Sequence, residues 1–274
     1  MPEQLSATPS PQRLAYLKAG RKRKHTIHMV QLLILLLLFG LWELSTALGW
    51  SDAFLVSRPS RIVSTFTNLW HSGDLWRHVG TSCLETVVGF TAGTLLGTLI
   101  AVGMWWSDFV SRVLDPYLVV LNALPKTALG PIFIVWMGAG TGSIIMMTLA
   151  ISLIVTILNM YMGFTSTDHS KIQLMRTLGA TRRQILWMLV FPSNYPTLFN
   201  TLKVNVGLSW VGVIMGEFLV SKAGLGYLIV YGSQVFNMDL VMTSVLILAV
   251  AAVVMYQLVL WLEKILNKHW GVIL

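Results

Sequence analysis

The sequence is poor in cysteine, in charge and in catalytic motifs. It has a single cysteine, Cys83, so no internal disulfide can form and no redox compartment is indicated. Charged residues make up only 11% of the chain, less than half of the roughly 25% usual in a soluble domain. No Gly-x-x-x-x-Gly-Lys-Ser/Thr loop and no His-Glu-x-x-His pair occurs, so no phosphate cradle or zinc-ligand spacing is present and no metal site is expected. The six histidines (His25, His28, His71, His78, His169 and His269) fall outside or at the edges of the apolar runs. That placement argues against an intramembrane enzyme, which needs polar catalytic groups within its spans. The net charge of +8 does not point to nucleic acid. No aromatic-basic motif accompanies it, and six of the 19 basic residues cluster at Arg13, Lys18, Arg21, Lys22, Arg23 and Lys24.

What the sequence does have is apolar length. Hydrophobic residues are 55% of the chain, and about 20 in a row cross a bilayer as a helix. Met29–Leu48 reads as an uncleaved first span behind the basic cluster, and residues 86–107 as the second. Positions 127–167 carry no Asp, Glu, Lys, Arg or His, too long for one span and right for two. The break falls at Gly-Ala-Gly-Thr-Gly, 138–142. The third span is then 112–137, kinked at Pro125 and Pro131, and the fourth 143–164. A fifth covers 197–219 and Leu240–Leu262 is the sixth. The expected fold is an all-α membrane protein with six transmembrane helices. A basic tail (1–28) leads into the first span with its amphipathic surface segment (29–78), and a core (79–268) follows.

Sidedness follows from charge. The 165–195 loop carries Lys171, Arg176, Arg182 and Arg183 against Asp168, whereas 138–142 and 220–239 carry only Lys222 and Asp239. Basic loops stay inside, which places 165–195 and both termini in the cytoplasm. Within that loop Ile172, Met175 and Leu178, then Ile185, Leu186 and Leu189, form two apolar turns. Gly179 supplies a bend between them, and Pro192 is expected to end the second. Such a segment either docks on another protein or lies on the membrane as a hairpin.

Other candidates come from helix faces. Gly89, Gly93 and Gly97 recur every four residues, which lets a second backbone approach in lipid; they are expected to serve helix packing, with a ligand role as the alternative. Lys203, Gly207, Trp210, Ile214 and Glu217 share one side of the fifth span, where polar groups are functional candidates. Glu217 could line a pathway or lock a helix end. Asn122, Lys126 and Asn159 are further candidates, with helix packing or snorkelling as the alternative. Asp239 is expected to cap the last helix.

The loop resembles the coupling signature of bacterial ABC importer permeases: Glu-Ala-Ala, three residues, Gly, nine residues, Ile-x-Leu-Pro. Gly179 and Pro192 keep the separation, Leu189 and Phe191 occupy the apolar positions, and Leu-Gly-Ala-Thr-Arg at 178–182 is similar to the family. Gln173, Leu174 and Met175 replace Glu-Ala-Ala. Further blocks resemble the nitrate/sulfonate/taurine-type members: Leu-Pro-Lys-Thr-Ala-Leu-Gly-Pro at 124–131, Trp-Met-Gly at 136–138, Trp-Val-Gly-Val-Ile-Met-Gly-Glu-Phe at 210–218, Ala-Gly-Leu-Gly-Tyr-Leu-Ile at 223–229 and Phe-Asn-Met-Asp-Leu-Val at 236–241. The likeness covers 58–268.

The resemblance implies a type I importer permease of the bacterial inner membrane, moving a small solute by alternating access. The cargo would be an organic or inorganic anion such as a sulfonate or nitrate, or a vitamin precursor. The chain itself would hold no cofactor. ATP and Mg would sit on a cytoplasmic ATPase dimer, a periplasmic or lipid-anchored binding protein would deliver cargo, and a second permease copy would complete the pathway. Gln173, Leu174, Met175, Arg176, Gly179, Ala180, Arg182, Arg183 and Pro192 would couple to the ATPase. Without the Glu-Ala-Ala acid, apolar and basic contacts would dominate that grip. Lys203, Gly207, Trp210, Glu217 and Asn122 would line the pathway. A secondary transporter is the competing transport class; it predicts more spans or internal repeats and no coupling loop.

Overall fold

A computed structural model describes residues 11–270, which contain helices and turns and no strand. Positions 1–10 of the expected tail lie outside the described residues. The chain divides into two compact units, with the boundary between Val63 and Ser64.

The first unit is dominated by α1 (Pro11–Ala47), which runs back through the basic cluster from the apolar stretch His25–Ala47. Its middle is exposed on every side, from Leu32 to Leu38. A helix apolar all round is stable in lipid and not in water. A short turn of helix, α2 (Ala53–Val56), follows. The amphipathic α3 (Pro59–Ser72) starts in this unit, with proline at its first position, where a missing N–H is harmless. Glu43 accepts the Ser60 N–H at 3.0 Å and the Ser60 Oγ–H at 2.9 Å, so the acid serves an otherwise orphaned donor of the α3 first turn.

The second unit is built on α4 (Asp74–Trp106), α7 (Thr141–Thr165) and α11 (Tyr195–Val220). Gly89, Gly93 and Gly97 of α4 face Thr148, Ser152 and Thr156 of α7, and Gly212 and Gly216 of α11 lie against Thr148 and Ile144. Small residues let these backbones close up, and the hydroxyls return hydrogen bonds to their own helix: Thr148 Oγ1 to the Ile144 carbonyl, Thr156 Oγ1 to that of Ser152. Asn205 Nδ2 ties the three helices together, donating to Thr156 Oγ1 at 2.7 Å and Thr94 Oγ1 at 3.3 Å. The flanking helices are α5 (Asp108–Ala123), α6 (Gly130–Met137), α12 (Leu225–Gln234) and α13 (Met238–Trp270).

Five helices among the described residues are long and apolar enough to cross a membrane, or six when one bent pair counts as a span. That pair is the expected third span, and it is broken rather than kinked. α5 ends at Ala123, a 3-10 turn covers Lys126–Leu129, and the chain has turned by 94° on entering α6. Pro125 disfavours helix for the residue before it, and Leu124 is extended at φ −66, ψ 137. Pro131, in the first turn of α6, bends nothing.

Two smaller expectations also change. Asn237, not Asp239, caps α13, accepting the Leu240 N–H at 3.1 Å. Pro192 does not end its helix. The backbone widens into a π turn over Leu186–Val190, the Phe191 N–H bonds to the Leu186 carbonyl, and helix resumes as α10 (Phe191–Ser193). A wider turn accommodates a residue without an N–H, whose ring would clash in a regular helix.

Candidate functional site

At one end of the second unit, residues 168–193 form the segment singled out from the sequence. Asp168 caps α8 (His169–Thr177) through the Ser170 N–H at 2.9 Å. Gly179 then turns the chain at φ +78, a backbone only glycine adopts cheaply. A reciprocal capping box, Thr181 with Gln184, starts α9 (Arg182–Ile185). The segment has two faces. Ile172, Met175 and Ala180 pack inward on a cluster that includes Phe164, Ile185, Leu186 and Val190. Leu174 (60% exposed) and Leu178 (74%) point out, beside exposed Gln173, Arg176 and Arg183. Leu178 therefore leaves the inward face on which its spacing had placed it, because the chain begins to turn there ahead of Gly179.

Arg182 turns back toward α4. Its Nη2 lies 3.5 Å from the Trp105 carbonyl, and its guanidinium lies 5.7 Å from the Trp105 ring centre, within cation–π range. Between this segment and the helix ends lies a cavity of about 680 Å³ whose lining includes Trp105, Tyr161, His169 and Arg176. Tyr161 OH and Ser111 Oγ, both in that lining, are hydrogen-bonded to each other.

The five pathway candidates are not brought together. Lys203 is ion-paired with Glu263 of α13, 2.8 Å to Oε2 and 3.0 Å to Oε1. Trp210 is buried with Phe199, Val206 and Val259. Asn122 is exposed and takes the Lys126 ammonium on its backbone carbonyl at 3.0 Å. Gly207 is exposed, with open space where a side chain would stand. The side of α11 that Lys203, Gly207, Trp210 and Glu217 share is wide enough to have an inner edge and an outer one, which helical spacing does not distinguish. Beside the outer edge lies an uncharged groove of about 590 Å³ between α7 and α11, lined by Asn159, Ser166, Thr197, Asn200 and Thr201 among others.

Glu217 faces the start of α12. Its carboxylate accepts the Ser82 hydroxyl and the Gly226 N–H, while Ser82 Oγ accepts the Leu225 N–H at 2.8 Å and His78 Nδ1 the Gly224 N–H at 3.0 Å. Cβ atoms at Gly224 or Gly226 would strike the Glu217 side chain. Sequence reasoning missed the neighbouring acid, Glu85, which is 1% exposed on α4. The available signal was Gly73: a helix starting just after it carries Glu85 far from either end.

No group of three or more His, Cys, Asp or Glu among the described residues could hold a metal ion. Apolar spans, a glycine-zippered core and a two-faced polar segment at one end define a multi-span membrane protein. The family of binding-protein-dependent transport system inner membrane components matches residues 93–272, and the chain belongs to it. It is 30% identical over 234 residues to the formylaminopyrimidine transport permease ThiX of Halalkalibacterium halodurans, covering 85% of this chain and 93% of that one. To the putative aliphatic sulfonates transport permease SsuC of Bacillus subtilis it is 28% identical, covering 92% and 90%. The inward-facing MetNI methionine ABC transporter matches 69% of this chain and 94% of that chain with a TM-score of 0.62 at 18% identity, a likeness of fold. The protein is thus a multi-pass inner-membrane permease subunit of an ABC importer, whose function requires an ATPase and a substrate-binding protein.

Proposed function

We propose that two copies of this permease form the pathway of an importer for a small organic anion or a heterocyclic vitamin precursor, with residues 169–190 seated on a cytoplasmic ATPase dimer. That partner would hold the ATP and Mg, and both permease termini would lie on its side of the membrane. The relatives' names support the cargo class: aliphatic sulfonates, taurine, formylaminopyrimidine and riboflavin. In this reading the domains are the basic tail 1–28, the first span with its surface segment 29–78, and the core 79–268.

The observation that carries the coupling assignment is the two-faced segment. Its inner face is anchored in the helix core, while Leu174 and Leu178 stand exposed where water or lipid headgroups would otherwise meet them. Leucines on a polar end, flanked by Arg176 and Arg183, suit an apolar groove with an acidic rim. Arg182 then anchors the segment from within rather than touching the ATPase. Cargo would pass along the outer edge of α11, by Gly207 and the groove containing Asn159 and Asn200. Lys203, Trp210 and Glu217 would hold the permease together.

Leu174→Asp and Leu178→Asp test this. Each should lower ATPase co-purification at least tenfold, because a carboxylate must be desolvated in an apolar groove, while permease abundance in the membrane stays unchanged. Wild-type co-purification and uptake in both variants would overturn the coupling assignment.

A further inference from the structure

The helix α8 has a third side. His169, Ile172, Gln173 and Arg176 recur at the spacing of one helix face, and all four line the cavity between the 168–193 segment and the helix ends. At about 680 Å³ the cavity has the size of a small-ligand site. Arg182 of α9 lines it too, beyond the turn at Gly179, and Met104 and Phe164 give it apolar wall. Gln173, Arg176 and Arg182 are exposed as well as lining it, so it is reached from solvent.

Its charge is unbalanced. Asp108 is the one acid in the lining, and Asp108 is paired with Arg112 at 2.9 Å. Neither Arg176 nor Arg182 has an ion-pair partner among the described residues. Arg182 rests on the carbonyl and the ring of Trp105, and neither is an anion. Gln173 stands where the coupling signature has its glutamate, and it brings donors without charge. An arginine on an open surface is simply hydrated. Two arginines around a walled cavity instead present forks of donors that match a tetrahedral oxyanion.

We propose that this cavity binds a phosphate-class oxyanion, held by Arg176 and Arg182 from the two sides of the Gly179 turn, with His169 and Gln173 as further polar contacts. The apolar wall leaves room beside the anion for the body that carries it. A free phosphate compound and the headgroup of an anionic phospholipid share this chemistry. Either would tie α8 to α9 and offset the repulsion between their guanidinium groups. The site itself does not rest on the coupling assignment. If that assignment holds, an occupied site would stiffen the segment that carries ATPase motion to the spans.

Thermal unfolding of the purified full chain in an uncharged detergent, read by tryptophan fluorescence, tests the proposal. One series replaces sodium chloride by sodium phosphate at constant ionic strength and pH. The other adds dihexanoyl phosphatidylglycerol, with dihexanoyl phosphatidylcholine as the lipid of no net charge. At least one of phosphate and phosphatidylglycerol should raise the wild-type Tm saturably, by roughly 5 °C or more near a hundredfold excess over Kd. A rise with phosphate assigns the site to a free anion, and a rise with phosphatidylglycerol alone assigns it to a headgroup. Arg176→Gln should weaken the response roughly tenfold or more in apparent Kd. Gln173→Glu, which keeps the shape and sets a carboxylate among the arginines, should do the same. Lys171→Gln removes a charge from α8 outside the cavity lining and should respond as wild type does. A wild-type Tm flat in both series overturns the proposal. So does a response that survives unchanged in Arg176→Gln or Gln173→Glu, or one that Lys171→Gln weakens equally.

Discussion

The glycine stripe of α4 gives a prediction whose sign differs along one helix. A Cβ at Gly89 would stand 2.6 Å from Thr148 Cβ, and one at Gly97 2.6 Å from Thr156 Cβ. Carbon atoms make contact at about 3.5 Å or more, so α4 and α7 must part by roughly 1 Å. A threonine Cβ is fixed to its backbone and cannot swing aside. Overpacking of this kind costs about 1–3 kcal/mol, against about 0.5–1 kcal/mol gained when alanine replaces glycine in a helix. Gly89→Ala and Gly97→Ala should therefore destabilise by about 1 kcal/mol or more. Gly103, in the same helix, has open space for 4 Å around the point where a Cβ would stand. Gly103→Ala should therefore stabilise by about 0.5–1 kcal/mol. At about 2–4 °C per kcal/mol for a chain of this size, Tm values in detergent should fall for the first two and rise for the third. If all three move upward together, the close approach of α4 and α7 is wrong.

Two further predictions concern α11. Lys203→Met and Glu263→Gln should each destabilise by about 2 kcal/mol, since each strands a half-buried charge, while the double variant should recover at least half of the summed loss in the same Tm assay. In a Cys83→Ala background, Asn200→Cys should react with a membrane-impermeant sulfonate-bearing thiosulfonate reagent and Val250→Cys on α13 should not; equal labelling would remove the groove between α7 and α11 from the aqueous route.

Much of this protein was legible in its sequence, and for physical reasons. Lipid demands uninterrupted apolar helix, so the spans, the glycine stripe and the break at 138–142 can be read from composition alone. The bend at Gly179 was legible because a left-handed backbone position calls for glycine. Family membership was carried by the same residues, through short blocks in a constant order. Long-range relations were not legible. Helical spacing put Lys203, Gly207, Trp210 and Glu217 on one side of α11 without saying which neighbour that side meets. Only tertiary structure set Lys203 against Glu263, buried Trp210 among apolar residues and left Gly207 open. It also decided that Pro125 breaks a span while Pro192 sits in a continuing helix, because a π turn relieved one and nothing relieved the other. Glu85 is the clearest case. Near an apolar run it reads as the edge of a span. Its meaning arises only when the helices close around it and leave its oxygens without a donor, since the cost of a buried charge depends on what surrounds it in space.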